Sequence, residues 1–452
     1  MNKISRKKFL EHCSHITLGI IGFTNMLYAT DKGLSMLKKI LPIQSDPKGI
    51  LNLVKGFSYN IISEKGQMMS DGLTVPDRAD GMASFKGKNG NIILVRNHEI
   101  GYFKTIEKLL DLNPFYKDKN YMEKYKSFIY DNGRSGTPCC GGTTTIVYNP
   151  ESQKIESEYL SLAGTLINCS GGLTPWNTWI SCEETVDVKG GSLQKDHGYN
   201  FEVIPSETVQ LNKAVPLKDM GRFRHEAVAI DPKTSIAYQT EDRDDGLVYR
   251  FVPNKKQEYI KGGILQTFII EDVKENDTRN WKTQNFIVGE KYKIKWFDLD
   301  GTDNPKDDLR YRAANKGAAF FARPEGMWYS DNIVYFSCTS GGGKKLGQIW
   351  KINVNQNTLE LMFESNHSDT MKACDNITIA PWGDVIVCED GRGRDRIIGI
   401  KNDGSTYMIA ENYLNNSEFA GANFSPDGKI LFVNIYSPTM TIAITGPWNK
   451  LI

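Results

Sequence analysis

Acidic, histidine and cysteine side chains recur in short clusters at the ends of apolar runs along most of the chain. The clusters are Asn97-His98-Glu99, Cys182-Glu183-Glu184, His225-Glu226, Glu241-Asp242-Arg243, Arg323-Pro324-Glu325-Gly326, and Cys374-Asp375-Asn376 with Cys388-Glu389-Asp390. A single carboxylate in such a place is commonly a solvated loop charge, but repeated clusters in matching positions predict one convergent site. Many hard oxygen ligands suit Ca²⁺ or Fe³⁺, and a thiolate among them favours a transition metal.

The histidines and cysteines fit this interpretation in different ways. His98 and His225 each precede a carboxylate, so we expect them to be hydrogen-bond partners of ligands rather than ligands. Cys182, beside Glu183 and Glu184, is either a metal thiolate or a buried structural thiol, because free cysteine packs as a small apolar residue. Eight cysteines are too few for a disulfide scaffold in 452 residues, and no CxxC or zinc-type Cys/His spacing occurs.

Short strands must position these clusters, because after about residue 50 apolar runs alternate with turns rich in Gly, Asn, Asp and Pro. The predicted strands include 91–96, 143–148, 178–182, 227–231, 236–240, 248–252, 333–338, 348–352, 385–389 and 429–435. Three segments share one cadence of turn and strand: AIDPKTSIAY (229–238), IAPWGDVIV (379–387) and FSPDGKILFV (424–433). Such repeats are typical of propeller blades, and an irregular array of β-sandwiches is the alternative.

The predicted fold is therefore all-β, a six-bladed β-propeller with a short helical insertion. The propeller domain spans residues 50–452, and the Lys-, Leu- and Tyr-rich stretch 102–130 forms the insertion. In a propeller the ends of successive strands converge on one mouth of the central channel. This geometry would bring the clusters together although they lie far apart in sequence.

The composition of the chain bears on its binding partners, and its N-terminus bears on its location in the cell. The 55 basic and 54 acidic residues leave a net charge of +1, and no basic stripe follows the N-terminus, so we expect no nucleic-acid partner. Residues 1–30 join a basic start to the apolar stretch 16–27, which predicts an export signal or an uncleaved anchor rather than a basic amphipathic helix. We therefore expect a periplasmic or secreted protein that engages export machinery and contacts a membrane only through that segment, if uncleaved.

An ordered set of motifs resembles the PhoX alkaline phosphatase family from about residue 50 to the C-terminus. The motifs are Gly141-Gly142-Thr143-Thr144, Thr178-Trp179-Ile180-Ser181-Cys182-Glu183-Glu184, Gly221-Arg222-Phe223-x-His225-Glu226, Thr240-Glu241-Asp242, Arg323-Pro324-Glu325-Gly326 and Asp375-Asn376. The resemblance implies a propeller phosphatase with two ferric ions, bridged partly by a cysteine thiolate, and several Ca²⁺ ions nearby. It also implies twin-arginine export, although Arg6-Lys7 replaces the paired arginines here.

The resemblance also implies roles for individual residues. The metal ligands are Cys182, Glu241, Glu325 and Asp375 for iron, and Glu99, Glu183 and Glu389 for iron or calcium. Cys182 and Arg323 are the implied catalytic residues. Because side chains at i and i+2 share a face in an extended segment, Arg323 would lie beside Glu325 and grip phosphate oxygens in a bidentate fork.

The predicted function is a metal-dependent phosphomonoesterase that acts on small-molecule phosphate esters outside the cytoplasm. Clustered cations can polarise a phosphate and supply a bound hydroxide. One alternative is a calcium-dependent propeller lactonase or esterase, which would tolerate the loss of Cys182. The other is a non-catalytic binding propeller in which the carboxylates hold structural calcium.

Overall fold

The computed structural model describes residues 42–101, 105–134 and 139–451, and short antiparallel strands make up most of this part of the chain. The first strands are β1 (Ile43–Gln44), β2 (Leu51–Val54), β3 (Ser58–Glu64), β4 (Ala79–Lys86), β5 (Ile92–His98), β6 (Gly141–Asn149), β7 (Lys154–Thr165), β8 (Asn168–Leu173), β9 (Trp179–Glu183), β10 (Asn200–Val203), β11 (His225–Ile230), β12 (Ala237–Glu241) and β13 (Val248–Pro253). The later strands are β14 (Gly263–Ile270), β15 (Lys291–Asp298), β16 (Pro324–Ser330), β17 (Ile333–Cys338), β18 (Gln348–Asn353), β19 (Thr358–Glu364), β20 (Cys374–Ile379), β21 (Val385–Glu389), β22 (Arg396–Ile400), β23 (Thr406–Asn412), β24 (Phe419–Phe424), β25 (Ile430–Ile435) and β26 (Met440–Thr445). The predicted export segment, residues 1–30, lies outside the described residues.

Three short α-helices interrupt the strands in the described ranges: α1 (Ile106–Leu112) and α2 (Lys119–Tyr125) between β5 and β6, and α3 (Leu309–Ala314) before β16. Thr105 and Asp118 cap the first two, because their side chains accept hydrogen bonds from backbone N–H groups of the first turn. Both lie within the predicted insertion. No helix in the described part of the chain is long and apolar enough to cross a membrane.

The strands pair in sequence order within each sheet, apart from additions at the outer edges. The sheets are β4-β5-β6-β7, β10-β9-β8, β11-β12-β13-β14-β15-β19-β18-β17-β16, β1-β2-β23-β22-β21-β20 and β24-β25-β26-β3. The nine-stranded sheet consists of two runs that meet where β15 pairs with both β14 and β19. The described strands therefore form five continuous sheets.

The first strand of each sequential run contacts the first strand of the next run. These six inner strands close a cycle in the order β4, β8, β11, β16, β20, β24 and back to β4. Their neighbours extend outward from this ring. The predicted all-β, propeller-like arrangement is confirmed.

Apolar side chains fill the space between neighbouring sheets. One cluster joins Ile386 and Ile397, from the sheet of β20 to β23, to Leu431, Val433 and Ile442 of the next sheet. Full burial of each such side chain stabilises the fold by roughly 1.5–3 kcal/mol. This packing fixes the inner strands relative to one another.

The last sheet combines strands from distant parts of the sequence. β26 pairs antiparallel with β3, with Met440 opposite Glu64 and Thr445 opposite Ser58. An early strand therefore completes a sheet whose other three strands come last in the chain, and this pairing closes the ring.

Candidate active site

Every inner strand has an irregularity in its pairing near its start. In five of the six strands the register with the next strand shifts between the first residue and the fourth, as a β-bulge requires, and in β24 the shift comes one residue later, between Ala420 and Asn423. A bulge re-aims the side chain it carries. The second residues of the six strands, here called the inner-ring residues, are Asp80, Cys169, Glu226, Glu325, Asp375 and Ala420.

A second set of polar residues follows the neighbouring strands. The residue directly after β5, β9, β12, β17, β21 and β25 is Glu99, Glu184, Asp242, Thr339, Asp390 and Tyr436, here called the outer-ring residues. The two rings touch, because Thr339 Oγ1 donates to Glu325 Oε1 at 2.8 Å. Members of the outer ring also pair, as when the Tyr436 hydroxyl donates to the Glu99 carboxylate.

These residues form overlapping groups of metal-type ligands. In each group the donor atoms all lie within 4.8 Å of one another. The groups are Cys169, Glu184 and Glu226; Glu226, Glu325 and Asp375; and Asp375, Asp390 and Glu418. Glu226 and Asp375 each belong to two groups, so the three form one continuous arc of carboxylates with a thiol at one end. Cys169 Sγ lies 3.0 Å from Glu226 Oε2.

Arginines border this arc two residues before inner-ring positions. Arg323, which has a left-handed backbone with φ of 52°, donates from Nε and Nη2 to the two carboxylate oxygens of Asp242, each at 2.9 Å. Its Nη2 also lies 2.6 Å from Glu325 Oε1, and Arg224 Nη2 lies 2.8 Å from Glu184 Oε1. Both side chains remain about a third exposed, at 35% and 33%, so they are open to a ligand from solvent.

Most carboxylates of the arc are buried and repel one another, and the protein supplies too little positive charge nearby to compensate them. Burial, with the charges of neighbouring carboxylates, raises the pKa of Asp375 to about 6 and raises the pKa of Glu226 and Glu325 well above the usual range. Burial and the nearby Glu226 likewise raise the pKa of the Cys169 thiol. In the absence of a cation, this site disfavours the ionised forms of its carboxyl and thiol groups. A bound cation would stabilise the carboxylates and the thiolate together. The donor set therefore fits a metal cluster.

Because of Asp375, the metal-free protein is expected to gain stability as the pH falls from about 6 to about 4, between the pKa of this carboxyl in the folded protein and its ordinary value of 3.8. A carboxyl whose pKa is raised in the folded state, as for Asp375, binds more protons folded than unfolded, so stability falls as pH rises through that window. The slope is about 1.4 kcal/mol per pH unit for each proton involved. Urea unfolding of chelator-treated protein across this range measures it. Metal-loaded protein should show little slope, and a metal-free stability that rises with pH would contradict the account.

The structure brings some of the predicted site residues together. Glu325 and Asp375 lie in the shared groups. Glu99 is an outer-ring residue, and its partly buried carboxyl interacts with the charge of Asp375. Arg323 lies beside Glu325, as the sequence predicts.

Four other predicted ligands lie elsewhere. Cys182 is buried among apolar side chains such as Ile180 and Phe223. Glu183 Oε1 contacts His197 Nδ1 at 2.7 Å, Glu241 Oε2 accepts from the Tyr249 hydroxyl at 2.8 Å, and Glu389 Oε1 pairs with Arg396 at 2.6 Å. None of the four is a member of the three groups that form the arc. The thiol that lies within the arc is that of Cys169 and not that of Cys182.

The alternation of side chains along a strand explains this difference. Glu183, Glu241 and Glu389 are each the last residue of a strand, and the acidic residue that follows each of them is an outer-ring residue. Successive side chains of an extended chain point in opposite directions. The sequence marks the acidic pair, but the pair itself does not indicate which member faces the site.

The two histidines hold the backbone rather than the ligand arc. His98 contacts the Asp77 carbonyl through Nδ1 and Thr144 Oγ1 through Nε2, each at 2.9 Å. His225 Nε2 lies 3.1 Å from the Gly221 carbonyl. Burial lowers the pKa of both imidazoles, to about 3 for His225, so both are neutral.

Sequence reasoning missed Asp80, Cys169 and Glu418, yet the inner strands carry a signal. Each inner-ring residue is followed by a small or short polar residue: Gly81, Ser170, Ala227, Gly326, Asn376 or Gly421. A Cβ on Gly81 would lie 2.5 Å from Ser170 Cα, and one on Gly326 would lie 2.5 Å from the Asp375 carbonyl oxygen. Close approach of neighbouring inner strands therefore requires glycine there.

An all-β, propeller-like fold whose inner strands carry a thiol and clustered carboxylates defines a class of proteins built around a central polar site. Within that class, the chain belongs to the alkaline phosphatase PhoX family, whose model matches residues 39–439. It is therefore a phosphoric monoester hydrolase of the alkaline phosphatase type. No curated protein matches the chain.

Two solved structures are similar to this chain to different extents. Pseudomonas fluorescens PhoX in complex with vanadate, a transition state analogue, has a TM-score of 0.63 and 16% identity, covering 90% of this chain and 97% of that chain. A gluconolactonase from Xanthomonas campestris has a TM-score of 0.45 and 8% identity, covering 90% and 97%. At 16% identity the likeness to the Pseudomonas fluorescens protein describes the fold alone.

Proposed function

We propose that the chain hydrolyses phosphate monoesters at an iron and calcium cluster held by the inner- and outer-ring residues. The observation that carries this proposal is the continuous arc of three ligand groups joined through Glu226 and Asp375. In the transition state of phosphoryl transfer, negative charge is spread over several oxygens of the phosphoryl group. Several cations arranged along an arc can stabilise this charge. The vanadate bound by the Pseudomonas fluorescens relative is consistent with such a site.

The donor chemistry divides the arc between two kinds of metal. The group with Cys169, Glu184 and Glu226 includes the thiol, and a thiolate selects a transition metal, so we assign iron there. The group with Asp375, Asp390 and Glu418 offers only carboxylate oxygens, which suit Ca²⁺. Glu325 lies between them. Two ferric ions and an unspecified number of calcium ions follow from the family resemblance.

When bound, the metals would polarise the phosphate and lower the pKa of a coordinated water. The chain's own residues position the substrate. Asp242 accepts two hydrogen bonds from the Arg323 guanidinium. These bonds fix the conformation of the arginine side chain and orient its remaining N–H groups before the substrate binds. Arg224, held by Glu184, offers a second cation beside the thiol group. These arginines would bind phosphate oxygens as the ester enters from solvent.

Arg323→Lys is expected to lower kcat/KM on p-nitrophenyl phosphate by about 10–100-fold. Lysine keeps the charge but cannot form the bidentate pair with Asp242, and a hydrogen bond to a charged group contributes about 1.5–3 kcal/mol. Steady-state kinetics measures the loss. Arg279→Lys, at an arginine paired with Asp277 outside the arc, is the control and should retain activity; equal losses in both variants would exclude a specific role for Arg323.

Elemental analysis together with esterase assays tests the proposed function. Purified protein is expected to contain iron and calcium and to release phosphate from monoesters. Folded protein that contains calcium alone and cleaves lactones would favour a calcium-dependent lactonase. Protein that holds both metals and is inert on monoesters and diesters would overturn the proposal.

We also infer a count of six blades. Six inner strands close one cycle, and a bulge near the start of the strand and the same pair of ring positions recur on each. The nine-stranded sheet divides into two such repeats, one starting at β11 and one at β16, joined edge to edge by β15.

Export from the cytoplasm is proposed from residues 1–30 alone. Their basic start and apolar stretch support a signal that places the enzyme in the periplasm or medium. Fractionation of cells that express the full chain, with Arg6→Gln as the comparison, tests it. Activity that stays in the cytoplasm with the intact segment would refute export.

A further inference from the structure

A second cluster of metal-type ligands lies outside the arc. It contains Asp131, Cys139 and His197, whose donor atoms lie within 4.8 Å of one another and whose exposures are 0%, 1% and 0%. Glu183 adjoins it, with Oε1 2.7 Å from His197 Nδ1. Since Glu184 belongs to the arc, two adjacent residues connect two separate clusters.

The two nitrogens of His197 have different surroundings. Nδ1 makes a short contact to Glu183, whereas Nε2 lies 3.4 Å from Asp131 Oδ2 and 4.0 Å from Cys139 Sγ. Direct hydrogen bonds of N–H to O are typically shorter, at about 2.7–3.2 Å. Tetrahedral zinc, with bonds of about 2.0–2.3 Å, separates its nitrogen and oxygen ligands by roughly 3.4 Å and its nitrogen and sulfur ligands by roughly 3.6 Å. The atoms around Nε2 therefore have nearly the spacing of ligands about a cation.

Glu183 is held in the place of an orienting carboxylate. Its Oε2 accepts the backbone N–H groups of Gly198 at 2.8 Å and Tyr199 at 3.2 Å, and its Oε1 accepts that of Leu166 at 3.0 Å. A carboxylate that receives Nδ1–H fixes the tautomer in which Nε2 is free to bind a metal. Glu183 would thus position the His197 ring without touching the ion.

The other two ligands are also fixed by their neighbours. Asp131 accepts the backbone N–H groups of Gln194 and Lys195, each at 2.8 Å. The Tyr116 hydroxyl donates to the Cys139 carbonyl, which anchors that residue to the helical insertion. The ligand positions are therefore set by three separate segments of backbone.

We propose that Asp131, Cys139 and His197 bind one divalent transition-metal ion, with Zn²⁺ as the best match, in a structural site distinct from the catalytic arc. One thiolate, one imidazole and one carboxylate form a ligand set that zinc accepts, and water would complete the tetrahedron. The ion would tie the segment between the insertion and β6, which carries Asp131 and Cys139, to the connection between β9 and β10, which carries His197. This inference stands apart from the proposed function and would survive its failure.

Cobalt(II) titration of the full-length metal-free protein tests the site, because thiolate-bound Co²⁺ absorbs strongly in the near ultraviolet. The titration uses a Cys169→Ser background, which removes the thiol of the arc. We expect about one equivalent of thiolate-bound cobalt, displaced by Zn²⁺. Adding Cys139→Ser should abolish the band, and adding Cys140→Ser, the matched control at the neighbouring buried thiol, should preserve it.

Glu183→Gln separates an orienting role from a purely structural one. Loss of the orienting carboxylate is expected to weaken cobalt binding by about 10–100-fold while the thiolate band persists at saturation. If Cys139→Ser does not fold, the zinc content of the Cys169→Ser protein and its rise in Tm on adding Zn²⁺ decide instead. A folded Cys169→Ser protein with no thiolate band and no zinc-dependent Tm overturns the proposal, and so does a band that survives Cys139→Ser.

Discussion

Cys169→Ser is expected to abolish phosphatase activity, with kcat reduced at least about 10²–10³-fold, as when a principal electrostatic group leaves an active site. The reason is the position of the thiol, on an inner-ring residue 3.0 Å from Glu226 Oε2. Serine keeps the size but is a poor iron ligand, so the visible thiolate-to-iron absorption should disappear with the activity. Steady-state kinetics and an absorption spectrum on the same sample measure both.

Cys182→Ala is the matched control for that experiment. Cys182 is equally buried but packs in an apolar cluster, so its truncation should cost about 1 kcal/mol of stability and leave activity and spectrum in place. The opposite pattern, with Cys182→Ala inactive and Cys169→Ser active, would restore the assignment made from sequence. The pair of variants therefore decides which thiol belongs to the site.

Asp375→Asn is expected to produce opposite changes in activity and metal-free stability. Asp375 belongs to two ligand groups, so its loss should remove metal from both and reduce kcat at least about 10²-fold. In metal-free protein at pH of about 8, the same change removes one buried charge among several carboxylates. Stability should then rise on the order of 1–2 kcal/mol, because the pKa of Asp375 is raised to about 6.

Glu389→Gln supplies the contrast. Glu389 is also buried and acidic, but both its oxygens accept from Arg396, at 2.6 and 2.7 Å. Loss of one charge from a buried pair costs about 3 kcal/mol, so this variant should be less stable and still bind the metals of the arc. Urea unfolding of metal-free protein compares the two variants. A decrease in stability for Asp375→Asn would show that its carboxylate is compensated in the absence of metal.

The sequence predicted the outer strands of the sheets better than the inner ones. Runs such as 143–148 and 348–352 are apolar or alternating, and they form β6 and β18. The inner strands β8 and β24 read NCSGGL and FAGANF, whose small and polar residues resemble loops. Their structure comes from close packing around the ring, a tertiary effect that local propensity does not report.

The site was predictable as a cluster of acidic ends but not as a set of individual ligands. Glu325 and Asp375 were identified through their motifs. Glu183 and Glu241 each lie one residue before an outer-ring residue, and the two-residue period of a strand turns their side chains away from the arc. Cys169 was missed because its bulge, which aims the thiol at Glu226, arises from a register shift with β9.

The pairing of β26 with β3 constrains when the enzyme can become active during its synthesis. Asp80, Cys169, Glu226 and Glu325 leave the ribosome early, but the ring that holds them together lacks its last strands until residues 440–445 emerge and join β3. Until then the ring of inner strands is incomplete, and the carboxylates that are buried in the finished protein are not yet held at the distances that metal binding requires. Metal loading should therefore follow completion of the chain, and nascent chains stalled before β26 should take up iron poorly even when it is abundant.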